Sequence, residues 1–317
     1  MSNGTRVVQR WKLNDIHSLQ DLEVLLRCDY NKKEDDIRLS HRWVPSNGDA
    51  EVATAGFRIS EHQLEDETFR YIPAFAKVYA LRSRDIRAFL PQDHATIDRS
   101  DPVLFVNERG SIIALVSTSS SWFSRIRSNL MRLLQNKKNQ WGQVDFSTVL
   151  LERPFFYWLI SKKGQIFRFG NENYTLRDVT GFVSATERKR HTFLGKGSSI
   201  DGQPPVQTMV SLGTSFYELD LVFGGSAGSL VFSIREDFQT KIDFTRSNKV
   251  VDEKIHFYDP NDLTLRIYLQ VIPDLILGFN KVADWDVKEK AYRKQTGIDA
   301  IRQIMAGTGL AIGDIST

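Results

Sequence analysis

The run VLFV-NERG-(S)IIALVS, residues 103–117, most limits the fold of this chain. Two stretches of β-branched and aromatic residues, 103–106 and 112–117, flank the polar tetrad Asn107-Glu108-Arg109-Gly110. Side chains along such stretches alternate between two faces, which commits both to a sheet. Gly110 supplies the positive φ that a tight hairpin turn needs. An antiparallel sheet must therefore carry part of the core.

The hairpin feeds a helix. Small hydroxyl residues fill 117–121, and Ser120 or Ser121 suits an N-cap. Over 122–135, Phe123, Ile126, Leu130, Leu133 and Leu134 fall on one stripe. Arg125, Arg132 and the trailing Lys137 and Lys138 lie off it, and lysines at a helix C-terminus suit the dipole.

The pattern elsewhere is mixed, then β-rich. Residues 6–13 read as a strand and 15–27 as a helix, with Ile16, Leu19, Leu22 and Leu26 at spacings of three and four. The charged stretch 31–36 reads as a loop, and 38–44 and 51–60 as strands around Pro45, Asn47 and Gly48. Residues 69–81 are interrupted by Pro73, and 83–90 form a short helix before Pro91. Beyond the polar stretch 139–143, strands are expected at 155–161, 165–169, 179–185, 191–194, 208–211, 215–223, 229–234, 239–245 and 254–258. Residues 263–277 fit a strand or a helix; Pro273 argues against a long helix. A helix over 286–305, weakened by Gly297, precedes a tail of small residues. The expected class is α+β: a mixed sheet-and-helix domain over 1–140 and a β-rich domain with a C-terminal helix over 141–317.

Size and composition agree. At about 150 residues per domain, 317 residues make one large domain or two ordinary ones. Hydrophobic residues at 41% and charged residues at 26% are globular values. Cys28 is the single cysteine, which excludes an internal disulfide framework and a cysteine zinc cluster. The N-terminus MSNGTRVVQRWKLND lacks an apolar core, so no signal peptide is expected. No apolar stretch approaches the roughly 20 residues that span a bilayer. A cytoplasmic protein without an integral membrane span is the expectation.

The net charge of +3 is unevenly spread. Residues 1–120 carry 16 Lys+Arg against 18 Asp+Glu, residues 121–200 carry 14 against 5, and residues 201–317 carry 12 against 16, so the segments stand at −2, +9 and −4. Concentrated basic charge attracts polyanions, because each neutralised phosphate releases counterions. The alternative is a solvated face matched by carboxylates from the flanking segments.

Motifs that carry chemistry are sparse. There is no G-x-x-x-x-G-K-[ST] phosphate loop, no H-E-x-x-H and no pair of histidines at metal spacing. Gly195-Lys196-Gly197-Ser198-Ser199 can form a backbone nest for an anion with Lys196 adding charge, or simply a loop between strands. Glu218 and Asp220 on one strand, with Glu236 after the next, offer oxygen ligands for a divalent ion, but the Glu-x-Lys element of acidic nucleases is missing. Phe167 and Phe169 share one strand face and read as core. Arg188-Lys189-Arg190, just ahead of the glycine loop, can track a phosphate backbone without reading bases.

In length and loose element order, including the hairpin–helix piece over 103–135, the chain resembles the DNA-binding subunit of the two-gene Kiwa antiphage system. The resemblance implies bacterial nucleic-acid handling. The sequence expectation is a non-enzymatic nucleic-acid-binding protein of low sequence specificity, with DNA as the first ligand and no cofactor. Its contacts are Arg125, Arg132, Lys137, Lys138, Arg188, Lys189, Arg190 and Lys196, and its setting is a bacterial host-defence or genome-maintenance complex, with a protein partner or self-association. One alternative is an interaction subunit docking on a larger, membrane-associated complex. The other is a metal-dependent nuclease using Glu218, Asp220 and Glu236.

Overall fold

The computed structural model describes residues 4–46, 56–87, 89, 91, 94–131, 141–146, 150–185 and 192–309. The chain is α+β, with antiparallel sheet, a β-rich second half and a long helix near the C-terminus. It divides into two compact units, Arg6–Thr148 and Met1–Thr5 with Val149–Thr317.

The first unit begins with β1 (Thr5–Leu13) and α1 (Leu19–Leu26). The helix starts later than its apolar spacing suggests because Ser18 caps it, accepting from the Asp21 N–H at 3.0 Å. A hairpin follows, β2 (Tyr30–Glu34) and β3 (Ile37–Pro45), where a charged loop was expected over 31–36. Asp35 and Asp36 both adopt positive φ (47° and 63°) in the two-residue turn between them, a conformation short polar side chains tolerate. The charges of β2 stay in reach of water on both faces: Lys33 and Glu34 are exposed, and Lys32 pairs with Glu34 at 3.1 Å.

Next come β4 (Ser60–Leu64) and β5 (Glu67–Leu81), a strand that runs straight through Pro73. On one flank, β5 pairs with β4 up to Tyr71 and with β3 from Ala74 onward. Pro73 sits in that gap, where the chain needs no N–H donor, and its carbonyl accepts from Ser46. After α2 (Arg84–Arg87), β6 (Thr96–Glu108) and β7 (Ser111–Ser117) form the expected hairpin, with Arg109 and Gly110 at φ 51° and 83° in the turn. The Asn107 side chain accepts from the Gly110 N–H at 3.0 Å.

α3 (Ser120–Leu130) and β8 (Val144–Phe146) complete the unit, whose sheet order is β1-β7-β6-β5-β3-β2. α3 buries Phe123, Ile126 and Leu130 in a core with Trp11, Trp43, Phe105 and Trp141. The Trp141 indole donates to Tyr30 Oη at 2.7 Å, and that hydroxyl donates to the Leu25 carbonyl at 2.8 Å. Trp141 and Val144 thus pack with the first unit.

The second unit opens on α4 (Arg153–Ser161), where a strand was expected over 155–161. Pro154 lies in its first turn, and all six residues from Phe155 to Ile160 are buried. A helix apolar all round has no stripe, so periodicity cannot tell it from a buried strand. Then come β9 (Ile166–Phe169), β10 (Glu172–Ala185) and β11 (Thr192–Lys196). α5 (Pro204–Leu212) replaces the strand expected at 208–211: prolines start it and Gly213, at φ 75°, ends it.

β12 (Ser215–Gly225), β13 (Gly228–Arg235) and β14 (Thr240–Asp243) extend the sheet in the order β11-β10-β12-β13-β14. β15 (Asn248–Val251) and β16 (Lys254–Phe257) form a hairpin on β13. Residues 260–280 are helical: α6 (Pro260–Arg266), one π-helical segment (Ile267–Val271) and α7 (Ile272–Asn280), with Pro273 in the first turn of α7. α8 (Trp285–Thr308) packs on α5 and α4. No helix among the described residues is long and apolar enough to cross a membrane.

Candidate functional site

The sheet of the second unit has two unlike faces. Leu219, Leu221 and Phe223 on β12 stand opposite Ile234, Phe232 and Leu230 on β13, all buried. Because side chains alternate, Asp220 and Ser233 point to the other face. There the strand register sets five residues in one rank across five strands: Lys196 opposite Gly181, Gly181 opposite Asp220, Asp220 opposite Ser233, and Ser233 opposite Lys241.

A pocket of about 440 Å³ opens over this rank. Besides Lys196, Asp220, Ser233 and Lys241, it is lined by Thr180 and Ser198 and, from the segment around β14, Asp243 and Arg246. Gly181 makes room for it: a Cβ there would stand 1.9 Å from Asp220 Oδ2. The Asp220 carboxyl therefore leans over the glycine.

The charges inside are unequally matched. Lys241 Nζ donates to Glu218 Oε1, which neutralises that pair. Asp243 Oδ1 is occupied by its own turn, accepting from the Thr245 N–H and hydroxyl and the Arg246 N–H at 2.7–3.1 Å. Lys196 and Arg246 have no ion-pair partner among the described residues. Burial, reinforced by the neighbouring Glu218 charge, holds the Asp220 carboxyl above the usual carboxylate range, although Lys241 and Lys196 pull it down. No described residue donates a hydrogen bond to it.

The glycine loop reaches this pocket by its side chains. The Gly197 N–H is bound to the Thr180 carbonyl at 3.0 Å, and the Ser199 N–H to the Asp178 carboxylate at 2.9 and 3.0 Å. Those two donors are unavailable for a backbone nest. Lys163 bridges Asp178 and Asp201 at 3.2 and 2.6 Å and anchors the loop from below. Burial lowers the affinity of Lys163 for its proton, but hydrogen bonds to Asp201 and Asp178 and their charges more than offset this and hold it above the ordinary lysine value. Gly195 lies against Phe182, whose ring a Cβ would meet at 2.2 Å.

Of the cations expected to contact nucleic acid, Lys196 lies in this pocket and Arg125 on the exposed side of α3 in the first unit. Arg132, Lys137, Lys138, Arg188, Lys189 and Arg190 fall outside the described residues. The Arg125 guanidinium lies over the Trp122 ring at 5.4 Å, and Arg99, paired with Asp101, lies over the same ring at 5.6 Å. The sequence from Ser111 to Val144 contains no Asp or Glu, so α3 carries its arginines uncompensated along the chain.

Lys241 and Arg246 were missed from sequence, although the buried Thr240 and Ile242 around Lys241 show the alternation that turns it outward. Glu218 and Asp220 do share a face, but with Glu236 they form no metal-holding group among the described residues. In their place stand a lysine-paired carboxylate and a carboxyl between cations. No protein-family model matches the chain, and no curated protein matches it.

Proposed function

We propose that the protein binds nucleic acid through its sugar–phosphate backbone, with low sequence specificity and without catalysing a reaction on it, in bacterial host defence or genome maintenance. The observation that supports this is the gathering of Lys196, Lys241 and Arg246 around one pocket, with two of the three free of ion pairs among the described residues. Cations so placed meet phosphate oxygens, and an arginine fork meets two at once. The lining also favours backbone over base. Among the described residues its single aromatic, Phe232, turns its side chain into the core, so none of them offers a ring for a base to stack on. Arg125 adds a phosphate contact from α3.

Fluorescence anisotropy of labelled DNA and RNA, single- and double-stranded, tests the reading at about 50 to 200 mM salt. Affinity should fall linearly on logarithmic axes and be similar for unrelated sequences. Lys196→Glu with Arg246→Glu should weaken every ligand by about tenfold or more. Absence of binding by any of them at the lowest salt would overturn the proposal.

A further inference from the structure

We infer that the pocket of the second unit holds one ribose phosphate unit, its phosphate on Lys196 and Arg246 and a sugar hydroxyl on Asp220. The inference rests on the backbone-binding reading for its polymer source and adds the class of sugar recognised.

The first supporting feature is the size of the pocket. Small-molecule sites run from about 300 to 1,000 Å³. A pocket of about 440 Å³ is larger than a bare phosphate needs and fits a phosphate with a sugar attached.

The second is Asp220. Neighbouring strands are about 4.8 Å apart, so the register sets Asp220 one strand spacing from Ser233 and two from Lys196. Its carboxyl is half-withdrawn from water and has no hydrogen-bond donor among the described residues. Its oxygens are not sealed from water, so a ligand that displaces that water must bring a donor of its own. A phosphodiester has no proton to donate to the carboxyl, and inorganic phosphate can donate one only while bringing its negative charge against the carboxylate. A sugar hydroxyl is neutral, donates to the carboxyl and accepts in turn from Ser233. Cation, carboxyl and hydroxyl in one rank therefore match a phosphate beside a hydroxyl-bearing ring.

The third is Gly181. The absence of a side chain there lets the carboxyl lie between the cations. A methyl group at 181 would displace it.

One chemistry, a phosphate next to a sugar hydroxyl, has two sources: the 2′-hydroxyl backbone of RNA or a free pentose phosphate. Calorimetric titration of the full chain with ribose 5-phosphate and with inorganic phosphate tests the site itself. Wild type should bind ribose 5-phosphate roughly tenfold more tightly, the worth of one hydrogen bond to a charged group. Asp220→Ala should erase that preference and leave inorganic phosphate bound as well or better, since a repelling charge is gone. Asp220→Asn repeats the measurement in a variant of the same shape. Lys196→Ala with Arg246→Ala should weaken both ligands.

Equal affinity of wild type for the two compounds, or equal losses for both in the Asp220 variants, overturns the inference. An RNA preference over DNA of equal sequence that disappears with Asp220 assigns the polymer as source. Its absence, with ribose 5-phosphate still bound, assigns the free compound. If neither polymer binds at low salt while ribose 5-phosphate does, the backbone-binding proposal falls and the pocket inference stands.

Discussion

Asp220 is the residue on which the site turns, and its protonation predicts a stability change with a definite sign. A carboxyl whose folded pKa lies above its ordinary value of 3.8 penalises the folded state when ionised. The penalty is present above the folded pKa and disappears as pH falls through it towards the ordinary value. Asp220→Asn removes the ionisation altogether. The variant should therefore unfold at higher urea than wild type at neutral pH, and the gain should shrink as pH falls towards the ordinary carboxylate value. A gain that is constant with pH would mean that the carboxyl carries no such penalty. The sequence marked Lys196, Glu218 and Asp220 singly, as a loop cation and two acids on one strand. It could not show that Gly181 sets Lys196 and Asp220 in one rank, because register depends on bulges in β10, at Leu176/Asp178, Val179/Gly181 and Val183/Ser184, that leave no mark in composition.

Among the secondary-structure elements, strands apolar enough to enter the core were readable, and a charged strand and two short helices were not. β7, β12 and β13 alternate or run apolar between glycine turns, and their positions agree with expectation. α4 was mistaken for a strand because a short helix buried all round shows no 3.6-residue stripe, and α5 because it buries only Val206 and Val210, too few positions to mark a stripe. Gly297 gives a further instance of packing overriding local preference. In an isolated helix, glycine costs about 1 kcal/mol relative to alanine, which makes Gly297 look like a weakness of α8. It is instead the point where α8 meets α5: a Cβ there would stand 2.9 Å from Ser211 Cβ, an atom fixed to the backbone. Overpacking of this kind costs about 1–3 kcal/mol, more than the propensity gain. Gly297→Ala should therefore lower stability by about 1 kcal/mol. In a Ser211→Gly background the clash is gone, and the same change should become stabilising. Chemical denaturation of the four members of this cycle reads the change of sign, and a stabilising effect in both backgrounds would refute the close approach.

For the whole molecule, charge is the quantity that links sequence to ligand. The segment totals of −2, +9 and −4 define a basic middle between two mildly acidic ends. What sequence cannot supply is whether the fold keeps those cations clear of the carboxylates on either side. In the pocket of the second unit only Lys196 comes from that middle segment, and it has no ion-pair partner among the described residues; Lys241, met by Glu218, and Arg246 come from the acidic C-terminal segment. The same question for Arg132, Lys137, Lys138, Arg188, Lys189 and Arg190 is answered by the salt dependence of binding. Each cation that releases a counterion on meeting duplex DNA contributes about 0.9 to the slope of log affinity against log salt. Replacing all six with glutamine should reduce the slope by about 2 to 5, with the larger value meaning that nearly all of them reach phosphate. Urea unfolding of the variant beside wild type checks that the fold is kept. An unchanged slope in a variant that unfolds at the same urea concentration would mean that these six cations do not reach phosphate, and that contact is confined to residues such as Lys196, Arg246 and Arg125.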